Sequence, residues 1–215
     1  NMFEFSAEAY YKWLRNQIDY QNNTQLLANE TVESQLIYGV GRAYGIEFYL
    51  KKKYGRLNGW VGYTLSRAED KFNGVNHNAY FPARQDRTHD VSVVGIYKLT
   101  GRLTLSSVFV YGTGNAVTFP DGKYTVNGVT TYHYSGRNQY RLPSDNRLDL
   151  GLTLAGKKRK RFQSGWTFSI YNVYNHKNPY SIIFKDSKDT PPRTQAVETS
   201  LFGIIPSITW NFKFQ

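Results

Sequence analysis

Three stretches of this 215-residue chain carry side chains equipped for chemistry. The first is "DRTHD", which sets Asp86, His89 and Asp90 within five residues. Acid and histidine together suggest hydrolysis, but hydrolysis needs a nucleophile, a base and an orienting group converging on one point. No nearby serine stands in a nucleophile-elbow context, so the stretch reads as the start of a strand and no enzymatic activity is expected. His77, His89, His133 and His176 lie scattered without metal-ligand spacing, and neither a metal nor another cofactor is expected. The second stretch, "GKKRKRF", is basic enough to suggest nucleic acid. Its place between two alternating segments makes it a solvated turn instead, and no nucleic-acid partner is expected. The third is the polar stretch 114–146, which carries Phe119, Tyr124, Tyr132, His133, Tyr134, Arg137, Asn138 and Tyr140. Rings, amides and one guanidinium offer flat apolar faces beside hydrogen-bonding groups. That set suits recognition of a sugar, a peptide or a catecholate. The bland alternative is a hairpin whose tyrosines pack on neighbouring loops.

The elements that must hold these stretches alternate with period two. Eight segments do so: 3–13, 43–54, 57–67, 89–99, 103–113, 147–155, 162–174 and 204–214. In the first, Phe5, Ala7, Ala9, Tyr11 and Trp13 oppose Glu4, Ser6, Glu8, Tyr10 and Lys12. In the sixth, Leu148, Leu150, Leu152 and Leu154 oppose Arg147, Asp149, Gly151 and Thr153. The fourth is the weakest, because Val94 and Ile96 put apolar groups on its polar side. Tight turns ("YGRLNG", "KLTGRL", "GKKRKRF") join segments 2 to 3, 4 to 5 and 6 to 7. Long polar connections (about 14–42, 68–88, 114–146 and 175–203) join the others. Short and long alternate strictly, so an up-and-down antiparallel sheet would gather every long loop at one end.

Such asymmetry, with strands of 10–12 residues tilted across a ~25 Å apolar band, is that of an outer-membrane β-barrel. The net charge of +11 and the absence of cysteine agree with many classes and choose none. The mean hydropathy of −0.56 and the lack of any long apolar run exclude a transmembrane helix. The expected fold is therefore all-β: an antiparallel up-and-down transmembrane barrel with about eight strands in this chain. A soluble sandwich or a lipocalin-like barrel would have to absorb the aromatic side of every strand in its core. With the C-terminus on the periplasmic side, Phe3, Tyr54, Tyr97, Trp210, Phe212 and Phe214 fall toward the lower membrane interface. Tyr11, Trp13, Tyr44 and Tyr111 fall toward the upper one, completing two aromatic girdles. On the lumen parity, Lys51, Lys98, Arg147 and Lys213 have Glu47, Asp90 and Asp149 as expected ion-pair partners.

Several longer stretches resemble the C-terminal barrel of TonB-dependent outer-membrane receptors. They are "SAEAYYKWLRNQIDY", "GRAYGIEFYLKKKYGRLNGWVGYTLSRA", "FPARQDRTHDVSVVGIYKLTGRLTLSSVFVYGTGNAVTFP", "YNVYNHKNPY" and the terminal "LFGIIPSITWNFKFQ". The resemblance covers essentially the whole chain, residues 1–215. It implies the last eight strands of a 22-stranded barrel, with plug domain and signal peptide outside this chain. The opening "NMFEFSAEAYYKW" is accordingly read as the interior of a longer protein. The implied function is binding of a scarce nutrient (siderophore, haem, cobalamin, glycan or peptide) and its TonB-dependent import across the outer membrane of a Gram-negative bacterium. The implied partners are the TonB complex through the plug, outer-membrane lipid and lipopolysaccharide, and the barrel-assembly machinery through the C-terminal strand. In this family the last residue is usually the aromatic one; here Gln215 follows Phe214. The rival from another class is a self-contained eight-stranded outer-membrane barrel acting as an adhesin or structural anchor.

Overall fold

The computed structural model describes residues 1–21, 32–126, 129–157, 162–189 and 193–214. In chain order the strands are β1 (Phe3–Tyr20), β2 (Leu36–Lys52), β3 (Leu57–Phe72), β4 (Phe81–Pro82), β5 (His89–Lys98), β6 (Leu103–Gly112), β7 (Ala116–Val117) and β8 (Gly122–Val126). They continue as β9 (Val129–His133), β10 (Tyr140–Arg141), β11 (Asp145–Ala155), β12 (Phe162–Tyr171), β13 (Pro179–Asp186), β14 (Thr194–Ser200) and β15 (Ile205–Phe214). Eight of them form one antiparallel sheet in the order β1-β2-β3-β5-β6-β11-β12-β15, so each wall strand pairs with its successor in the chain. These eight coincide with the eight alternating segments. Among the described residues the path is open, with β1 and β15 as its two edges and no ladder closing them.

Register carries one apolar row after another across this wall. Phe5 faces Leu50, Leu50 faces Val61, Val61 faces Val93, Val93 faces Phe109 and Phe109 faces Leu148. Farther along, Leu57, Tyr97, Leu105, Leu152, Phe168 and Ile208 align in the same way. Because strand side chains alternate, every such row lies on one face of the sheet. That face is open to the surroundings: Phe5, Trp13, Phe48, Leu50, Val61, Phe168, Ile208 and Trp210 are all exposed. The opposite face carries small and polar groups. Thr104, Thr153, Thr167 and Thr209 form one of its rows. Val94 and Ile96 do face this polar side, opposite Trp60 and Asn58, as their parity requires.

Two glycines fit the first tight connection. Gly55 has φ +107°, which a turn needs and a Cβ disfavours. A Cβ at Gly59 (φ +153°) would strike the Val94 carbonyl oxygen, so the close approach of β3 to β5 there requires glycine.

The strands depart from expectation at the other end of the sheet. The stretches 14–42 and 68–88 are loops by pattern, yet β1 continues to Tyr20, β2 starts at Leu36 and β3 reaches Phe72. The last β3–β5 pair is Leu65–His89, so β1, β2 and β3 project beyond their neighbours by roughly 20 Å at ~3.3 Å per residue. A bulge between Leu14 and Gln17, with Asn16 at φ 54°, shifts the β1 register inside this flange. It keeps Ile18, opposite Tyr38, on the apolar face after the parity change. The pattern hides this extension because the bulge interrupts the period.

The long connections also hold structure of their own. β4 pairs with β3, β7 with β10, β8 with β9 and β13 with β14. They form a cap at the flange end, where Phe72, Val75 and Phe81 make a small buried core with Ile37 against it. Phe72 lies opposite Gly39, and Phe81 opposite Asp70, both on the polar-face side. The cap therefore leans over the polar face and leaves the apolar face open.

Candidate functional site

The cap is held to the wall by buried side chains that bind backbone. Asp86 is fully buried, and its Oδ1 accepts the Ala68 N–H of β3 at 2.5 Å. Its Oδ2 pairs with the Arg141 guanidinium, which also donates to the carbonyls of Asp86 (2.9 Å) and Gly114 (3.1 Å). Arg87 joins Asp145 at 2.9 Å and Asn115 at 3.2 Å. The "DRTHD" stretch is thus a clasp. Its histidine does not join the acids, since His89 sits on the apolar face with Nδ1 2.9 Å from the Tyr63 hydroxyl. Among the described residues no group of three His, Cys, Asp or Glu could hold a metal.

A second clasp lies at the head of β12. Asn172 is fully buried in the left-handed region, φ 54°. It accepts the His176 N–H at 3.0 Å, donates to the His176 carbonyl at 2.8 Å, and donates its own N–H to Asp149 at 2.9 Å. Asp149 also takes Arg147 at 2.9 Å, and that guanidinium lies 4.3 Å from the Tyr171 ring centroid. The expected Arg147–Asp149 pair is therefore formed. Asp90, by contrast, meets Arg87 at 3.9 Å. Glu4 pairs with Lys53 at 2.8 Å.

The cap holds a cleft of about 670 Å³. Tyr124 and Tyr132 reach it from the β8–β9 ribbon, and Tyr134, Ser135 and Arg137 from the segment that follows. The turn Asn76–His77–Asn78 supplies the opposite wall. All three of those residues have positive φ, 46°, 56° and 61°, a conformation asparagine tolerates better than most residues. The two walls are stitched together: Asn76 Nδ2 donates to the Arg137 carbonyl at 2.8 Å, and Arg137 N–H donates to Asn76 Oδ1 at 2.7 Å. Arg137 also reaches into the flange, to Asp19 at 2.5 Å and the Tyr20 carbonyl at 3.0 Å. The guanidinium expected to meet a ligand is therefore engaged in structure, while the tyrosine rings and amides line the open space.

The remaining loop residues fall beside this cleft. Phe119 and Asn138 line a neighbouring depression of about 370 Å³ with Tyr180 and Ile182. Tyr140 stacks on Phe119 at 5.6 Å, and Asn138 Nδ2 donates to the Pro82 carbonyl at 3.0 Å. Sequence reasoning missed Asn76, His77, Asn78, Thr118 and Ser135. An "NHN" run in a polar connection signals a left-handed turn, but nothing local tells which surface it faces.

Electrostatics fasten the ribbon from both sides. Asp121 accepts from His133 at 2.8 Å, and hydrogen bonds from Ser135 and His133 hold its carboxyl below the ordinary 3.8. Asp186 takes Lys123 at 2.7 Å, and the hydrogen bonds from Lys123 and Thr194 likewise hold it below 3.8.

The girdle aromatics group at the two ends of the apolar face. Tyr11 stacks on Tyr44 at 5.7 Å with Trp13 at 4.8 Å, all toward the flange, and Tyr111 lies on the same face opposite Val91. Toward the tight turns, Trp210 stacks on Trp166 at 6.1 Å, Phe212 and Phe214 surround Phe162, and Tyr54 stands exposed in the β2–β3 turn. Residues 158–161 of the basic run, residues 190–192 of the last long connection, and Gln215 lie outside the described residues.

Comparison with protein-family models, with curated proteins and with solved structures finds no match in any of the three.

Proposed function

We propose that this chain is a section of outer-membrane wall, the C-terminal part of a TonB-dependent receptor that imports a nutrient. One observation carries the reading: an antiparallel meander with one continuous, exposed apolar face and every long connection at the same end. In water that face would leave large aromatic and aliphatic side chains without cover, whereas lipid supplies the cover. The edges β1 and β15, unpaired among the described residues, favour a section of a larger barrel over the rival, a self-closing eight-stranded anchor.

In this reading the cap faces the outside, and the tyrosine- and amide-lined cleft contributes to the cargo surface. Its rings offer stacking and its amides and hydroxyls offer hydrogen bonds, which suits a glycan, peptide or catechol-bearing cargo. Cargo held by the loops and the plug apex passes along the polar face once TonB remodels the plug. The fragment itself performs no covalent chemistry.

The test is the intact mass of the protein that contains this segment, taken from purified outer membranes. A mass several times the 24.8 kDa of this chain is expected. A mass close to that of the chain, or absence from the outer membrane, would overturn the reading. Replacing Tyr132 and Tyr134 together by alanine should then lower uptake without changing the amount of protein in the membrane.

A further inference from the structure

The depression beside the tyrosine-lined cleft has a chemistry of its own. Its 370 Å³ or so lies between the β7–β10 pair and β13, with Val117, Phe119, Leu142 and Ile182 as apolar lining and Arg84 as its cation. Phe119 is fixed from two sides, stacked on Tyr140 at 5.6 Å and met edge-on by Phe184 at 5.2 Å. A bulge between Pro179 and Ser181 breaks the β13–β14 register, and Tyr180, the residue within it, stands exposed at the depression.

Arg84 differs from the arginines around it. Arg87 is paired with Asp145, Arg137 with Asp19 and Arg141 with Asp86. Among the described residues Arg84 has neither an ion pair nor a hydrogen bond, and no carboxylate lines the depression. Its side chain is exposed, yet its backbone is pinned on both sides. The Ala83 N–H donates to the Ala68 carbonyl at 2.9 Å, and the N–H of the fully buried Asp86 donates to the Ala83 carbonyl at 2.9 Å. The clasp thus fixes the base of a side chain whose guanidinium it does not use.

The cleft next door is the reverse. Its guanidinium, Arg137, is engaged, and no lysine, aspartate or glutamate lines it. Thr118 borders both spaces, its Oγ1 accepting the Asn138 N–H at 3.0 Å. A ligand lying across Thr118 meets rings and amides on one side and an unpaired cation on the other. The depression is near the lower end of the ~300–1,000 Å³ typical of small-molecule sites, so it suits one ring rather than a whole cargo. The planar fork of arginine matches the two oxygens of a carboxylate, and one guanidinium balances one negative charge. A phosphate, with its charge of about −1.5 to −2, would call for more cations than this lining holds.

We propose that this depression is the subsite for a uronic acid unit at the end of an oligosaccharide, and that Arg84 selects it by its carboxylate. The proposal rests on the transport reading and narrows the cargo to an acidic glycan whose uncharged units occupy the tyrosine-lined cleft.

The experiment uses the full receptor, purified from outer membranes in mild detergent, with binding followed by calorimetric titration. The probes are oligogalacturonates, the same oligosaccharides after reduction of their carboxylates to alcohols, and a peptide with a free C-terminal carboxylate. Expected is a preference of about tenfold or more for the acidic sugar over its reduced form, the scale of one charge-assisted pair. Arg84→Gln should erase that preference while leaving the weaker binding of the reduced sugar unchanged. Arg84→Lys keeps the charge without the fork and should retain only part of it. Arg56→Gln, in the β2–β3 turn at the opposite end of the wall, should leave both affinities as they are. Equal binding of the two sugars, binding of neither, an undiminished preference in Arg84→Gln, or binding of the peptide in place of the sugar would each overturn the subsite. The two proposals fail separately. Protein missing from the outer-membrane fraction refutes the wall, whereas protein present there without a carboxylate preference refutes this site alone.

Discussion

The wall and the cap of this molecule are built on opposite principles. The wall is regular: eight strands in register, with backbone ladders satisfying its N–H and C=O groups and aromatic pairs such as Tyr11–Tyr44 and Trp166–Trp210 reinforcing neighbours. Each such cross-strand pair contributes about 0.2–1 kcal/mol, and among the described residues the face they share stays exposed. The cap is irregular, and single polar residues fasten it. Asp86 and Asn172, both fully buried, do there what whole rows of side chains do in the wall. A wall of this kind takes its solvent from outside the chain, whereas the cap finds its partners within the chain.

The largest expected effect strikes the cap. Asp86→Ala leaves the Arg141 guanidinium and the Ala68 N–H without their carboxylate, at a cost of about 3–5 kcal/mol for one broken buried pair. Limited proteolysis should then cut within 73–88 and 113–144 while the wall strands stay resistant. Simultaneous loss of both regions would break the distinction drawn here.

The next effect strikes the wall, and depends on its solvent. Val61→Arg, at mid-height on the apolar face, should cost about 2–4 kcal/mol for the protein in a lipid bilayer. Thr64→Arg, on the polar face, should cost much less. Equal costs, measured by denaturant titration in liposomes, would mean that lipid does not cover the apolar face.

Asn172→Ala removes the two side-chain hydrogen bonds to His176 and leaves a residue without a polar side chain at positive φ, with about 2 kcal/mol expected. Asn172→Gly should recover only the backbone part. If the two variants proved equally stable, the bonds would dominate and the backbone conformation would contribute little.

The smallest effect is a local one with pH. Asp121 and Asp186 both titrate below 3.8 when folded, so their stabilisation of the β8–β9 ribbon is present above that value and fades as pH falls through the folded values. Hydrogen exchange of the ribbon amides should accelerate below about pH 4, with β5 and β6 unchanged. Asp186→Asn should remove part of this acid sensitivity.

Much of the wall was legible because its rule is local. Alternation along a strand is read from consecutive residues, and short turns against long connections fix an up-and-down order without any knowledge of distant contacts. The flange was missed where Asn16 interrupts the period. The cleft was half legible. Its rings announced themselves in one stretch, but the facing Asn76–Asn78 turn lies far away in sequence, and no periodicity links the two.

By itself, then, the sequence determined the all-β class, the eight wall strands, their alternating faces and the sorting of the loops. Each of these follows from nearest-neighbour geometry of the extended chain. Tertiary structure alone decided that Arg137 is spent on Asp19 and that Asp86 is a clasp. It also decided that Arg42, Arg67 and Lys71 share a surface with Tyr80. Those are meetings between residues distant in the chain, set by strand register and by the way the cap folds back, and no local pattern encodes them.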